Sequence, residues 1–283
     1  MLKSGLGISG ISLAWLRFLK KGADKRRMRV QVLGAHNTES QDTRLVSLLI
    51  DGVLALDAGA LTSSLPFSEQ LKLKAMLITH YHYDHIRDIP LIAMNFFLNG
   101  ASINVYSIAP VRDAISSHLL DGSLYPKFLE KPEGKATIKF HTVEPYQTIQ
   151  IEGYSVLPLP LAHSVPAVGY QVASANGKKV FYTGDAGPGL AHCWQYASPH
   201  LLITEVTASN RFEEFCKESR HFTPGLLREE LVSFQKIKGY LPQVITVHMN
   251  PNLEAEIAAE LTAVAKDLGA SITLAYAGRQ IYL

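Results

Sequence analysis

Residues 79–90 read Thr79-His80-Tyr81-His82-Tyr83-Asp84-His85-Ile86-Arg87-Asp88-Ile89-Pro90, which sets three histidines and an aspartate within six positions. The apolar run before them, Ala75-Met76-Leu77-Ile78, has strand character, so His80 and His82, two apart, point to one side as the strand ends. Asp84 and His85 are expected to follow in a tight loop before Pro90. Imidazole and carboxylate donors crowded into so short a stretch form a metal-binding pattern that rarely arises by chance; a cluster of solvated loop histidines is the plain alternative.

Three more candidates each stand just past an apolar run. His163 follows residues 154–161, Asp185 closes Phe181-Tyr182-Thr183-Gly184-Asp185, and His248 follows Val244-Ile245-Thr246-Val247. Alone, each would be read as an ordinary loop residue. In this order, and after His-x-His-x-Asp-His at 80–85, they resemble the ligand series of the metallo-β-lactamase superfamily. The resemblance covers nearly all of residues 28–283 and implies an α/β fold, the αββα four-layer sandwich, with its metal site at one edge where the loops of two sheets meet. It further implies that His80, His82 and His163 surround one metal, that Asp84, His85 and His248 surround another, and that Asp185 bridges them. Leu54-Ala55-Leu56-Asp57-Ala58-Gly59 resembles the family's strand-plus-Asp-Gly element. Asp57 is then a carboxylate behind the ligands that fixes imidazole tautomers; a turn former before Gly59 is the alternative.

A set of five imidazoles and two carboxylates without a thiolate suits borderline divalent ions: zinc first, with manganese or iron as alternatives. Two such ions about 3.5–4 Å apart would lower the pKa of a bridging water toward neutrality, so that hydroxide attacks while Asp84 and its fellow ligands hold the clamp. Two divalent ions against Asp84 and Asp185 leave a positive site, which favours a small anionic phosphodiester.

Between Asp185 and His248 the chain reads Leu201-Leu202-Ile203-Thr204-Glu205-Val206-Thr207 and Ser219-Arg220-His221-Phe222-Thr223-Pro224. This pair resembles the phosphodiesterase branches, in which a strand-end Glu and a His-x-Thr segment form a dyad; carried over, Glu205 supports His221, which protonates the departing ribose oxygen. Taken alone, Glu205 would be a strand-end charge and His221 a residue flanking a helix start. Transfer-RNA 3′-processing nucleases and class II cyclic-nucleotide phosphodiesterases share these elements. Only 22 positions separate His163 from Asp185, too few for the nuclease's long basic arm, and 63 separate Asp185 from His248, too few for the large insert of the branch that cleaves RNA and DNA. The run 221–227, the segment His248-Met249-Asn250-Pro251 and the closing 278–283 resemble the class II phosphodiesterase, while the first loop, 34–40, departs from it. The expected activity is therefore hydrolysis of a small phosphodiester, a cyclic nucleotide first. Nuclease, lactonase or thioesterase action, and a non-catalytic metal-binding role, remain the alternatives.

The whole chain carries 27 basic and 25 acidic residues, but seven of the basic ones and one acidic residue precede Met28, so residues 28–283 carry a net charge of about −4. Such a domain lacks the footprint expected for a folded nucleic acid. With 47% hydrophobic residues the chain can bury a sizeable core as one domain. Its two cysteines, Cys193 and Cys216, lie apart from the ligand positions and point to a reducing cytoplasm. Residues 1–27 form a basic, partly apolar extension whose Ile8, Ile11, Trp15 and Phe18 recur at helical spacing. It is too short to span a bilayer, and a surface helix or a mis-assigned start upstream of Met28 are both open readings. A homodimer is a further expectation. Hairpins are expected about Asp51-Gly52 and Asn176-Gly177, and helices over 89–99, 109–120, 224–236 and 254–268.

Overall fold

Alternation along the strands separates two apolar cores. In the computed structural model, which describes residues 27–283, strand β1 (Arg29–Gly34) turns Val30 and Val32 to one core and Leu33 to the other. Strand β2 (Ser47–Ile50) divides Leu48 and Ile50 from Leu49, β3 (Leu54–Leu56) divides Leu54 and Leu56 from Ala55, and β4 (Ala75–Leu77) divides Ala75 and Leu77 from Met76. A strand buried on both faces reads as a continuous apolar run, as β3 and β4 do.

With β5 (Ile103–Ser107), β6 (Ile138–Thr142) and the terminal β14 (Gln280–Tyr282), these strands form a seven-stranded sheet in the order β14-β1-β2-β3-β4-β5-β6. The second sheet contains β7 (Ile149–Ile151), β8 (Tyr154–Leu161), β9 (Ala167–Ala173), β10 (Lys179–Tyr182), β11 (Leu201–Glu205), β12 (Gln243–Val247) and β13 (Ile272–Leu274), ordered β13-β12-β11-β10-β9-β8-β7. One core lies between the sheets, where Leu48 and Leu56 join the same cluster as Val156 and Val172. The Ile89–Leu98 helix covers the outer face of the first sheet with Ile92 and Phe96. The Pro224–Lys238 and Glu254–Leu268 helices cover the second with Leu231, Phe234, Ile257 and Leu261, completing the expected αββα order.

Strands β3 and β4 run parallel, as do β10, β11 and β12, so their carboxyl ends within each sheet reach the same edge. Asp57 follows β3, His80 lies just past β4, Asp185 just past β10, Glu205 ends β11, and His248 follows β12. The edge where parallel strands end is where α/β sheets present their chemistry. Gly184 permits the two halves to meet there: its φ is +62°, and a Cβ on it would lie 2.7 Å from the Cβ of Thr79. Gly59 permits a close approach within the first half, where a Cβ would come within 2.3 Å of the Asp84 carbonyl oxygen.

Some local expectations change. Asp84 and His85 belong not to a loop but to a single helical turn, Tyr83–Ile86, closed by the His85 N–H donating to the His82 carbonyl at 3.0 Å. Pro90 stands in the first turn of the next helix, Ile89–Leu98, where its missing N–H costs nothing. The helix expected over 109–120 is α-helical over Ala109–Ala114 and widens to a π-turn at Ile115–Leu119. Short helices at Leu61–Ser64, Phe67–Gln70, Ala191–Tyr196 and Glu213–Ser219 have too few residues to print a periodicity. The amphipathic spacing at Ile8, Ile11, Trp15 and Phe18 lies outside the described residues. Among the described residues no helix is long and apolar enough to cross a membrane.

Candidate active site

Seven side chains from these strand ends converge. The donor atoms of His80, His82, His163 and Asp185 all lie within 4.8 Å of one another, as do those of Asp84, His85, Asp185 and His248, so Asp185 belongs to both groups. His163 Nε2 stands 3.2 Å from His82 Nδ1, and His248 Nε2 lies 3.1 Å from Asp84 Oδ2 and 3.2 Å from Asp185 Oδ2. Three buried donor atoms that face this space, His80 Nε2, His85 Nε2 and Asp185 Oδ1, have no hydrogen-bond partner. Buried polar atoms are seldom left so. Imidazole and carboxylate donor atoms crowded together are what a cation satisfies, and this set fits divalent ions of borderline hardness.

The Nδ1 side of four of the five rings, those of His80, His85, His163 and His248, is occupied. His85 Nδ1 donates to Asp57 Oδ2 at 2.8 Å, which directs Nε2 toward the centre. The same buried carboxylate accepts from the Thr79 N–H at 2.8 Å, the Thr79 hydroxyl at 2.9 Å and the Tyr182 hydroxyl at 2.7 Å. Thr79 Oγ1 in turn lies 3.0 Å from His80 Nδ1. Asp57 is thus a turn residue, with a φ of +57° that suits an aspartate, and also the shared acceptor behind His85 and Thr79. Arg220 and His248 also adopt left-handed backbone, at φ 61° and 63°. Such conformations cost about 1 kcal/mol or more outside glycine, and here each serves the centre: the Arg220 carbonyl accepts from His163 Nδ1 at 3.2 Å, and His248 turns inward.

Electrostatics follow from that crowding. Burial holds the His80 pKa well below the ordinary imidazole value, assisted by its neighbour His85. For His85, burial opposes the charge, but Asp185 and Asp57 outweigh it and raise the pKa well above ordinary. Burial would likewise raise the two carboxylates, yet the surrounding imidazoles win, and Asp84 and Asp185 lie well below the usual range.

Glu205 and His221 also meet. His221 Nδ1 is 2.7 Å from Glu205 Oε1, with the carboxylate fully buried and the imidazole 16% exposed. Burial disfavours the imidazolium, but Glu205, assisted by Asp185 and Asp84, pushes the His221 pKa up to about 9. A protonated imidazole at the mouth of the site can give a proton to a leaving group. Glu205 does more than the sequence suggested. Its Oε2 accepts from the Thr207 hydroxyl at 2.8 Å, and Thr207 Oγ1 lies 2.8 Å from His248 Nδ1. Its two oxygens also accept the Ala186 and Phe222 N–H groups, each at 3.2 Å.

The structure thus brings together the residues expected from the sequence: the seven histidines and aspartates of the two groups, Asp57 behind His85, and Glu205 with His221. Thr79, Tyr182 and Thr207 were missed. Thr207 carried a signal, since it stands two residues after Glu205 and alternation turns both to one side. Tyr182 carried none, because its partner Asp57 lies in the other sheet.

Residues 47–274 match the beta-lactamase superfamily domain, and the chain belongs to that family of metallo-β-lactamase-fold hydrolases. Ribonuclease Z of Methanocaldococcus jannaschii is 28% identical over 102 residues, 35% of this chain and 31% of that protein. Endoribonuclease ysh1 of Schizosaccharomyces pombe is 28% identical over 198 residues, 62% of this chain and 25% of that protein. The matches thus span about a third or less of these relatives' own length. Among solved structures, unliganded yeast PDE1 superposes with a TM-score of 0.80 at 13% identity, covering 90% of this chain and 99% of that one. The Bacillus subtilis protein YhfI gives 0.72 at 17% identity, covering 91% and 100%. At such identities the likeness is one of fold.

Proposed function

We propose that residues 28–283 form a dinuclear metal-dependent phosphodiesterase that hydrolyses a small anionic diester, a cyclic nucleotide first. The observation that carries the reading is the Glu205–His221 pair beside the ligand groups, because a poor alkoxide leaving group needs a proton donor and an activated aryl ester does not. His80, His82 and His163 would hold one ion and Asp84, His85 and His248 the other, with Asp185 shared. When bound, two divalent ions, zinc before manganese or iron, supply an activated water and a counter-charge for the phosphate. Asp57 and Thr79 hold the imidazole tautomers, Thr207 orients His248, and His221 keeps its proton toward the departing oxygen. The two cysteines, free and buried, support a cytoplasmic setting.

A second reading has its own support: the relatives named ribonuclease Z favour cleavage of an RNA. Against it, the stretch between His163 and Asp185 is occupied by the β9–β10 hairpin, with no arm to grip a folded RNA. The test is turnover by metal-loaded protein of a cyclic-nucleotide panel, a precursor transfer RNA and bis-p-nitrophenyl phosphate. Cleavage of cyclic nucleotides with the RNA intact supports the first reading, and the reverse pattern overturns it. Turnover of neither, with metal bound, would leave a metal-binding protein.

A further inference from the structure

Against the stacked rings of His221 and His248 opens a cleft of about 370 Å³, whose apolar lining includes Phe212, Phe215 and Leu253 and whose amides are Asn37 and Asn250. That is within the size of small-ligand sites, about 300–1,000 Å³. Phe215 is 60% exposed, and Phe212 carries the Arg211 guanidinium 4.8 Å from its ring centre. Exposed aromatic rings beside a catalytic edge are costly to leave in water and suited to a planar partner.

The amides give the cleft a polarity. Asn250 Oδ1 accepts the Asn252 N–H at 3.0 Å, and a backbone donor fixes which end of the amide is oxygen. Asn37 Oδ1 accepts the Thr38 hydroxyl at 2.9 Å. Each carbonyl oxygen already accepts one bond while neither NH₂ group donates one, so donors are the larger share of what the two residues offer a ligand. The cleft is an apolar slot with hydrogen-bond donors.

We infer that this cleft holds the nucleobase of the substrate, stacked on Phe215 and Phe212, and that Asn250 and Asn37 favour guanine over adenine. Guanine presents two adjacent acceptors, O6 and N7, where adenine presents a donor, N6, beside N7. The inference rests on the phosphodiesterase reading, which sets the diester next to His221 and hence the base within reach of the cleft. A sugar phosphate without a base would leave both the rings and the amides in water.

Calorimetric titration of the metal-loaded protein with GMP, AMP and ribose 5-phosphate tests this without turnover. GMP should bind about tenfold or more tighter than ribose 5-phosphate, the scale of base stacking, and tighter than AMP. Phe215→Ala should shrink the advantage of GMP over ribose 5-phosphate, and Asn250→Ala should erase that of GMP over AMP. Equal binding of GMP and ribose 5-phosphate by the wild-type chain would overturn the inference with no variant needed. AMP binding tighter than GMP would overturn the role of the amides. If cyclic phosphodiesters are cleaved but binding ignores the base, the cleft assignment alone fails. If base-dependent binding holds while no cyclic phosphodiester is cleaved, the cleft stands and the phosphodiesterase reading fails.

Discussion

The imidazole rings of His221 and His248 lie stacked, 5.4 Å between centroids and 11° from parallel. On the proposed reading, the proton donor is thereby held against one of the candidate metal-binding histidines. His221 carries a high pKa so near other imidazoles because Glu205 sits on its far edge at 2.7 Å.

His221→Ala should lose about a hundredfold or more on a cyclic nucleotide and much less on bis-p-nitrophenyl phosphate, since p-nitrophenolate leaves without a proton. The pH dependence has a definite sign. His221 is protonated below its pKa of about 9, so turnover of the cyclic nucleotide should fall as pH rises through that region or below it once cations are bound, and aryl-ester turnover should lack this limb. Steady-state rates on both substrates decide it. Equal losses on the two would assign His221 to folding or ligand support instead.

Glu205→Gln should be less selective than the dyad alone suggests. From sequence, the substitution removes only the charge that orients His221. In the structure its two oxygens also serve Thr207, and through it His248, together with the Ala186 N–H beside Asp185. Glutamine keeps one oxygen and adds a donor, so one link must break. We expect a loss of 10–100-fold on the aryl diester as well, with weakened metal affinity, the usual scale for removing a ligand's support. Unchanged metal affinity and an intact aryl-ester rate would confine Glu205 to the proton donor.

The candidate metal-binding residues were legible because their chemistry is written locally: His80, His82, Asp84 and His85 fall within one strand end and its following turn, and His163, Asp185 and His248 each follow an apolar run. The paired sheets were legible from the order of strands and helices, which fits the family's sandwich, and from Asp51-Gly52 and Asn176-Gly177. What escaped is what only tertiary contact creates. Tyr182 meets Asp57 across the sandwich, and the single turn Tyr83–Ile86 is shorter than any periodicity can mark.

A chain beginning at Met28 should fold and bind the same metals. Met28 is buried, its carbonyl accepts the Leu283 N–H at 3.0 Å, and β1 is already flanked by β2 and β14, so the domain's first strand has both partners without the preceding segment. Melting temperature and metal content of the shortened chain should match the full chain. Aggregation or a large drop in melting temperature would show that the extension contributes to the domain.

Asp57→Asn isolates the carboxylate that supports the ligands. Asparagine tolerates the left-handed backbone at this position, so the substitution changes the hydrogen-bonding chemistry with little change in backbone strain. Four donors converge on Asp57: the Thr79 N–H and hydroxyl, the Tyr182 hydroxyl and His85 Nδ1. An amide would aim its own N–H groups at some of them. The least costly escape is for His85 to move its proton to Nε2, the atom that faces the centre, and a protonated Nε2 cannot ligate. Metal affinity should therefore fall about 10–100-fold, and the metal-free protein should lose on the order of 1–3 kcal/mol for the buried donors left without acceptors. Competition with a chromophoric chelator measures the first and denaturant unfolding the second. Loss of stability with metal affinity intact would mean that Asp57 holds the two sheets together but does not set the tautomer of His85.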